Sequence, residues 1–454
     1  MPVNSGSTGC RILIKDGYVL TMDPKLGDFV GGDVLIEGGK IIQVAQEITD
    51  PTAQIVDASG KIVMPGFIDT HHHQFETALR SWLPNALLFN DGSADARPNY
   101  LEDMLGVMAK EYRPEDVYIS EMIGSLSQLD AGVTTVLDVS QIHHSPAHTE
   151  AAISALQDAG RRSVLGFFEG QGDNCQYPSD ATRLRKTFFS SDDQLVTMAM
   201  GGEIYLPHYE KSWELAEELD LRIVMHVVGT MGMAPMMEEL AKAGRFTSKH
   251  TLIHMTGMSN GTWEAVKDSG ASVSLSVPIE MTMGHGMPPL LKMQQLGMMP
   301  SLSSDVECTL TSDFFTQMRA TMTLQRALAM EIALLQPENA PALVKAREVI
   351  EYATIGGAKA LGMEHKIGSL GAGKEADIIL LDAEALNTAP LNNVPGAVVT
   401  LMERHNVSTV FVAGTVKKWE GELIGINHSR LRAALTKSRD NLFDRAGVSL
   451  NLFS

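Results

Sequence analysis

Two histidines at the end of a strand-like segment have the spacing of metal ligands. The run VMPGFIDT, residues 63–70, leads directly into His71, His72 and His73. Side chains two positions apart on a strand point to the same face, so His71 and His73 can bind one metal ion while His72 points away. This spacing predicts the first part of a metal site.

Three later strand-like runs each carry one further residue of a ligand type near their end. RIVMHVVG carries His226, TLIHMTG carries His254 and SLSSDVE carries Asp305. Enzymes built on a (β/α)8 barrel assemble their sites from the C-terminal ends of different strands. Imidazoles and a carboxylate together suit Zn²⁺, Fe²⁺, Co²⁺ or Mn²⁺, with one position left open for water. These residues therefore predict a metal centre at the mouth of a barrel.

The elements that must position these residues follow a regular pattern along the chain. From Gly66 onward, strand-like runs alternate with helical stretches, as in TTVLDV followed by HTEAAISALQDAG, and such alternation predicts a parallel sheet. Both ends of the chain consist of short β-branched runs instead. We therefore predict an α/β fold with a distorted (β/α)8 TIM barrel over residues 67–370, a small composite β-sandwich from residues 1–66 and 371–430, and a helical tail over residues 431–454.

Several longer motifs resemble the amidohydrolase superfamily, in the branch of triazine hydrolases, cytosine deaminases and 8-oxoguanine deaminases. PGFIDTHHH is similar to the HxH motif of the first barrel strand. GVTTVLD, GDVLIEGGKIIQV and ATIGGAKALGMEHKIGSLGAGKEADIILLD are similar to other segments of the family. The resemblance covers nearly the whole chain, and it implies a metal-dependent TIM-barrel hydrolase that forms a homo-oligomer.

The resemblance also implies a role for each residue of the metal site. His71 and His73 match the first-strand ligands, and His226 matches the fifth-strand ligand. His254 matches a sixth-strand histidine that contacts the substrate or the water on the metal, and Asp305 matches an eighth-strand aspartate that binds the metal or acts as a base. We predict one divalent ion, with Zn²⁺ as the first choice, bound by His71, His73, His226 and Asp305. We predict that Asp305 and His254 are catalytic.

The chain departs from the family pattern in ways that bear on this site. Deaminases of the branch carry HxxE on the fifth strand, whereas residues 226–229 read HVVG and place Gly229 where the proton-shuttling glutamate would stand. The PxSN motif of the seventh strand reads PIEM, with Glu280. The fourth-strand candidate, VTMAMGGEIYL, contains no lysine that could bridge two metals. We therefore predict one ion, and we consider Glu76 and Glu280 as replacement acids.

Further residues are predicted to contact the substrate because of their positions beside the metal motif or after other strands. Gln74 and Glu76 differ from the family pattern beside the HHH run. His143 and His144 lie in the loop after TTVLDV. Glu280 lies in the altered seventh-strand motif, and His285 follows that strand. The predicted substrate contacts are Gln74, Glu76, His143, His144, Glu280 and His285.

The absent fifth-strand glutamate also bears on the reaction. Deamination of a heterocycle benefits from an acid beside the ring nitrogen, whereas amide hydrolysis can proceed with Asp305 as the base and His254 stabilising the oxyanion. We therefore predict cleavage of a C–N bond of amide, urea or carbamate type in a small, cyclic or uncharged molecule. The alternatives are a deaminase or dehalogenase-type hydrolase of a purine, pyrimidine or triazine, and a scaffold that has lost catalysis.

Composition restricts the partners and the location. The formal net charge is -19 and no cluster of Lys or Arg interrupts it, which argues against nucleic acid and anionic membranes as partners. The start, MPVNSGSTGC, lacks the apolar core of a signal peptide, and no apolar run approaches the ~20 residues that span a bilayer. Cys10, Cys175 and Cys308 are odd in number and far apart, which favours a reducing compartment. We predict a cytoplasmic enzyme that acts on a small molecule.

Overall fold

The computed structural model describes residues 11–453, so Cys10 and the rest of the first ten residues lie outside the described part of the chain. The strands begin with β1 (Arg11–Val19), β2 (Phe29–Glu37), β3 (Lys40–Ala45), β4 (Gln54–Asp57) and β5 (Lys61–Pro65). They continue with β6 (Phe67–His72), β7 (Val133–Ser140), β8 (Arg162–Phe167), β9 (Val196–Gly201), β10 (Ile223–Val228), β11 (His250–Thr256), β12 (Ser272–Leu275) and β13 (Ser301–Leu302). They end with β14 (Ile378–Asp382), β15 (Val407–Val412), β16 (Thr415–Trp419) and β17 (Glu422–Leu423).

Helices alternate with the strands of the middle group and continue after it. The α-helices are α1 (Pro114–Asp130), α2 (Pro146–Ala159), α3 (Ala181–Thr187), α4 (Tyr209–Glu218), α5 (Ala234–Lys242), α6 (Asn260–Ser269), α7 (Val277–Thr282), α8 (Leu290–Leu296), α9 (Phe314–Leu335), α10 (Ala346–Glu351), α11 (Gly357–Ala360), α12 (Val394–Thr400) and α13 (His428–Ala446). Among residues 11–453, no helix combines the length and the apolarity needed to cross a membrane.

Strands β6 to β13 form one parallel sheet in chain order. All residues of β7 and β8 are buried. Strands covered on both faces read as nearly continuous apolar runs, which explains why these segments lack alternation. The sheet closes between its first and last strands, because the His73 amide donates to the Asp305 carbonyl at 2.8 Å and the Asp305 amide donates to the His71 carbonyl at 2.9 Å. The predicted TIM barrel is thereby confirmed.

Strands from both ends of the chain form a second, mixed sheet. β5 pairs antiparallel with β14, and this pairing joins the N-terminal and C-terminal segments. In β14, Ile378 and Leu380 pack on one face, whereas Ile379 and Leu381 pack on the other face in a cluster with Phe67 of the barrel. This alternation has the period of two expected for a strand. The predicted composite β structure from both termini is confirmed.

The mixed sheet curls, so that two of its turns come into contact. The turn between β2 and β3 contacts the turn between β15 and β16, where a Cβ atom at Gly39 would lie 2.8 Å from the Ala413 carbonyl oxygen. Ile36 of β2 and Phe411 of β15 belong to the same apolar cluster. The curled sheet encloses this cluster as a sandwich does. The division of the chain into four units at residues 66, 370 and 430 stays a prediction.

The C-terminal helix α13 packs on the barrel helix α1. The Ser438 hydroxyl donates to the Asp116 carboxylate at 2.6 Å, and Arg445 pairs with the same carboxylate at 2.5 Å. The rings of Trp82 and Phe443 meet edge to face at 5.5 Å. These contacts attach the predicted helical tail to its own barrel.

Candidate metal centre and active-site cavity

Four predicted ligands converge at the C-terminal end of the barrel. The Nε2 atom of His71 lies 2.9 Å from Nε2 of His73 and 3.1 Å from Nε2 of His226. The Oδ1 atom of Asp305 lies 3.6 Å from Nε2 of both His71 and His73. The two first-strand histidines share a face because they are two positions apart, and barrel closure brings Asp305 beside them. The sequence motifs therefore meet in one cluster.

The geometry of this donor set fits a divalent ion. Nδ1 of His73 lies 3.0 Å from the Val139 carbonyl oxygen, which can only accept, so Nδ1 carries the proton and Nε2 presents a lone pair. Nδ1 of His226 lies 2.5 Å from the Glu203 carboxylate, with the same consequence. Converging lone pairs repel unless a cation lies between them. Ligands of a tetrahedral zinc ion stand about 3.3 Å apart, close to the separations found here.

His254 stands beside these ligands with a carboxyl group near each ring nitrogen. Its Nε2 lies 3.5 Å from Oδ2 of Asp305, and its Nδ1 lies 3.0 Å from Oε1 of Glu280. The Ser276 amide donates to the same Glu280 oxygen at 2.9 Å and orients it. His254 and Asp305 have φ angles of 70° and 63°, a left-handed backbone that non-glycine residues rarely adopt. Packing around the site therefore sets the direction of both side chains.

Burial and neighbouring charges set the protonation states of the cluster. Burial, reinforced by nearby histidines, lowers the pKa of His71 and His73 well below 6.5, so both imidazoles are neutral, as metal ligands must be. Burial lowers the pKa of His226, but the Glu203 carboxylate outweighs burial and leaves that pKa raised. Burial raises the pKa of Asp305 to about 7. A bound cation would oppose the shift at Asp305, because a positive charge favours the ionised carboxylate.

A cavity of about 290 Å³ adjoins the cluster. The histidines and Asp305 form part of its lining. Its apolar lining includes Leu88, Leu101, Leu105, Met231, Ile279 and Met283. This size lies near the lower end of the range for small-molecule pockets, about 300–1,000 Å³. The cavity therefore suits a small, largely apolar molecule whose reacting atom lies beside the metal ligands.

One of the predicted substrate contacts lies on this cavity, and the others do not line it. His285 lines the cavity, and its ring centroid is 4.6 Å from that of His254. The remaining predicted contacts turn away from the lining, and each has protein partners instead. These residues are Gln74, Glu76, His143, His144 and Glu280.

Gln74 and Glu76 face the packed interior beside the barrel. The Gln74 amide donates to the Glu121 carboxylate at 2.7 Å and accepts from Arg161 at 2.6 Å. The Tyr100 hydroxyl donates to Glu76 at 2.6 Å, and burial raises the pKa of Glu76 to about 8. Tyr100 itself lines the cavity. Glu76 therefore contacts a residue that lines the cavity but does not line the cavity itself.

The loop after β7 contributes a different residue from those predicted. His143 bonds the Thr149 hydroxyl at 2.9 Å, and His144 bonds the Ala109 carbonyl at 2.8 Å. Gln141, the first residue after β7, lines the cavity instead. The two histidines hold the loop in place, and Gln141 faces the substrate space.

Position 229 has no room for a side chain. A Cβ atom there would lie 2.6 Å from the Thr256 carbonyl oxygen and 2.9 Å from Cα of Gly257. Both neighbours are backbone, so they cannot give way by a change of rotamer. The glutamate that the family resemblance implies at this position would therefore not fit here unless the backbone moved.

Sequence reasoning missed residues that the structure brings to the site. Glu203 is fully buried, and its carboxylate contacts the backbone amide of His226 at 3.2 Å as well as the His226 ring. It follows β9 by two residues, and the strand-end argument applied to the ligands could have found it. Gln141, Glu169 and Tyr205 follow β7, β8 and β9, and all three line the cavity.

The chain is similar to proteins of known sequence and structure along almost its whole length. Residues 62–417 match the amidohydrolase family. A 5'-deoxyadenosine deaminase of Methanosarcina mazei is 26% identical, with 96% of this chain and 99% of that protein covered. A zinc-bound adenosine deaminase structure from Xanthomonas campestris superposes with a TM-score of 0.84 at 23% identity, covering 96% and 99% of the two chains. A zinc-bound atrazine chlorohydrolase from Arthrobacter aurescens superposes with a TM-score of 0.81 at 21% identity, covering 94% and 100%.

Proposed function

Since the chain belongs to the amidohydrolase family of metal-dependent hydrolases, we propose that it displaces an amino group from a small nitrogen heterocycle. Family membership and deaminase relatives make it a hydrolase of C–N bonds. The observation that carries the finer proposal is the cluster of His71, His73, His226 and Asp305 beside a small apolar cavity.

We assign the metal to these four residues, with Zn²⁺ as the first choice. Zinc takes imidazole and carboxylate donors, and two structural neighbours contain zinc. When bound, the ion would lower the pKa of a water molecule toward neutrality and polarise the substrate. Glu203 holds the His226 ring through Nδ1 and so directs Nε2 at the ion.

Asp305 and His254 move the protons. Asp305 Oδ2 is buried and lacks a hydrogen-bond partner among the described residues, so it can take a proton from the attacking water. His254, 3.5 Å from that oxygen, passes a proton to the nitrogen that leaves. Burial raises the pKa of Glu280 well above 4.5 and lowers the pKa of His254 well below 6.5. A protonated Glu280 therefore donates to Nδ1 of His254 and can replace the proton that His254 gives up from Nε2. Water replaces the amino group, and ammonia is released.

The relatives favour a purine-type substrate. The similar proteins of known activity include deaminases of 5'-deoxyadenosine and adenosine. The sequence alone favoured amide-type hydrolysis because Gly229 cannot donate a proton. The His254–Glu280 pair supplies a proton route that does not need position 229, and it therefore supports deamination.

Hydrolysis of a cyclic amide, urea or carbamate is the second candidate. Gly229 favours it, because the backbone there excludes the acid that heterocycle deaminases of this branch use. In that reaction His254 would stabilise the oxyanion rather than deliver a proton.

Ammonia release separates the two candidates. Zinc-loaded protein is incubated with adenosine, 5'-deoxyadenosine and a panel of cyclic amides and ureas. We expect ammonia from the aminated heterocycles and none after His71→Ala, while His405→Ala, at an exposed site, retains the rate. Cleavage of a cyclic amide or urea with no ammonia from any aminated heterocycle would establish the second candidate.

We also propose a homo-oligomer and a cytoplasmic location. Family resemblance supports the homo-oligomer. The odd number and wide spacing of the cysteines support the cytoplasmic location. Sedimentation of the purified protein tests the oligomer directly, and a monomer across the working concentrations would remove it.

A further inference from the structure

A polar cluster forms part of the cavity wall. It consists of Gln141, Glu169 and Tyr205, which follow three consecutive barrel strands. The Gln141 amide donates to Glu169 Oε1 at 3.0 Å and lies 3.1 Å from the Tyr205 hydroxyl. The Tyr205 hydroxyl donates to the same Glu169 oxygen at 2.9 Å. Two side chains, which follow β7 and β9, therefore hold the carboxylate that follows β8 in place.

The side-chain hydrogen-bond donors of the cluster all bond to other members of the cluster. Gln141 directs its amide nitrogen at two partners, and Tyr205 directs its single hydrogen at Glu169. Glu169 in its ionised form has no hydrogen to donate. What the cluster can still offer to a ligand is acceptor oxygen and negative charge.

One oxygen of Glu169 lacks a partner. Oε2 is shielded from solvent and makes no hydrogen bond within residues 11–453. An unpaired buried acceptor is costly, so a native structure retains one where a ligand or water satisfies it. Among the cavity-lining residues of the described chain, none is Lys or Arg, so no side chain of these two types pairs with Glu169 across the cavity.

We propose that Glu169, held by Gln141 and Tyr205, selects substrates that present an O–H or N–H donor away from the reacting carbon, and that it rejects anionic substrates. This inference rests on the proposed function, because it concerns the same cavity. For a purine nucleoside, ribose hydroxyl groups are donors of this kind. A carboxylate at the same position would meet acceptor oxygens and a negative charge.

The test compares three probes on zinc-loaded protein. 5'-Deoxyadenosine carries two ribose hydroxyls, 2',3',5'-trideoxyadenosine carries none, and adenosine-5'-carboxylate is anionic. We expect kcat/KM to fall about 10- to 100-fold when the hydroxyls are removed, mostly through KM, because the carboxylate then stays unpaired. Glu169→Gln should erase most of this difference and should improve the anionic probe relative to the neutral ones.

Asp173→Asn is the matched control, because Asp173 is exposed in the same loop after β8. It should keep the wild-type preference. Equal kcat/KM for the hydroxylated and trideoxy probes, or an unchanged preference in Glu169→Gln, would overturn the inference while leaving deamination intact.

Calorimetric binding of 5'-deoxyadenosine separates the remaining outcomes. Binding of 5'-deoxyadenosine without turnover, if Glu169→Gln abolishes it, would refute deamination of this nucleoside and uphold the role of Glu169. No binding of any of the three probes would overturn both.

Discussion

His254 and Glu280 form a buried pair in which imidazole Nδ1 lies 3.0 Å from carboxyl Oε1. The other ring nitrogen of His254 faces Asp305, so the histidine links a carboxyl group behind the site to the proposed base within it. This relationship gives the chain a proton route in place of the fifth-strand glutamate. Glu280 acts through His254, and it is therefore a positioning residue.

Glu280→Gln tests this route. The amide can keep a hydrogen bond to His254 but cannot pass a proton to it, so we expect kcat to fall by about 10²- to 10⁴-fold. KM, zinc content and melting temperature should change little, and Glu280→Asp should restore part of kcat. Steady-state kinetics on 5'-deoxyadenosine measure kcat and KM separately. A wild-type kcat in Glu280→Gln would remove the pair from the mechanism.

Glu203→Gln tests the support of the metal ligand. Glu203 contacts the ring and the backbone of His226, and loss of such an outer partner costs about 10- to 100-fold in metal affinity. Competition with a chelator measures that affinity. Excess zinc should restore activity, which a merely misfolded variant would not show. Unchanged affinity would mean that His226 needs no orienting carboxylate.

Gly229→Ala should destabilise the protein without adding activity. The new Cβ would press on the backbone of residues 256 and 257, and overpacking of this kind costs about 1–3 kcal/mol. Gly261→Ala is the control, because its Cβ meets only the Ser259 hydroxyl, at 3.9 Å. Denaturant unfolding compares the two variants. Equal stability of both variants would contradict the close approach at position 229.

Glu76→Gln should change how stability depends on pH. Burial raises the pKa of Glu76 from 4.5 to about 8, so the folded state binds a proton that the unfolded state releases between these values. Wild-type stability from this group is therefore present below pH 4.5 and is lost as pH rises toward 8. The stability of Glu76→Gln relative to wild type should increase over that interval. Unfolding at pH 5 and pH 8, with Glu239→Gln as an exposed control, checks the sign.

The ligand residues were predictable because strand geometry decides them. His71 and His73 share a face at a spacing of two, and His226, His254 and Asp305 lie at or near strand ends that a barrel must bring together. The surrounding contacts were not predictable in the same way. Whether Gln141 or His143 faces the cavity depends on the path of one loop. The role of Glu280 depends on a short helix that turns it toward a neighbouring strand.

In the fold, too, some features were predictable from the sequence and others depend on contacts between distant residues. Alternation of strands and helices predicted the barrel, and short β-branched runs at both ends predicted the composite sheet. The curl of that sheet rests on contacts such as that between Gly39 and Ala413, which are far apart in sequence. The left-handed backbone at His254 could likewise not be predicted from the sequence, because few non-glycine residues of any type adopt it.

The metal content of active protein tests the central claim most directly. Elemental analysis of purified protein with measured hydrolase activity should find about one divalent ion per chain, as expected for a site with four protein donors. His71→Ala and His226→Ala should bind far less and lose turnover, while their melting temperatures stay within a few degrees of metal-free wild type. Active protein without a divalent ion, or full metal content in both variants, would contradict the assignment of His71, His73, His226 and Asp305 as the metal site.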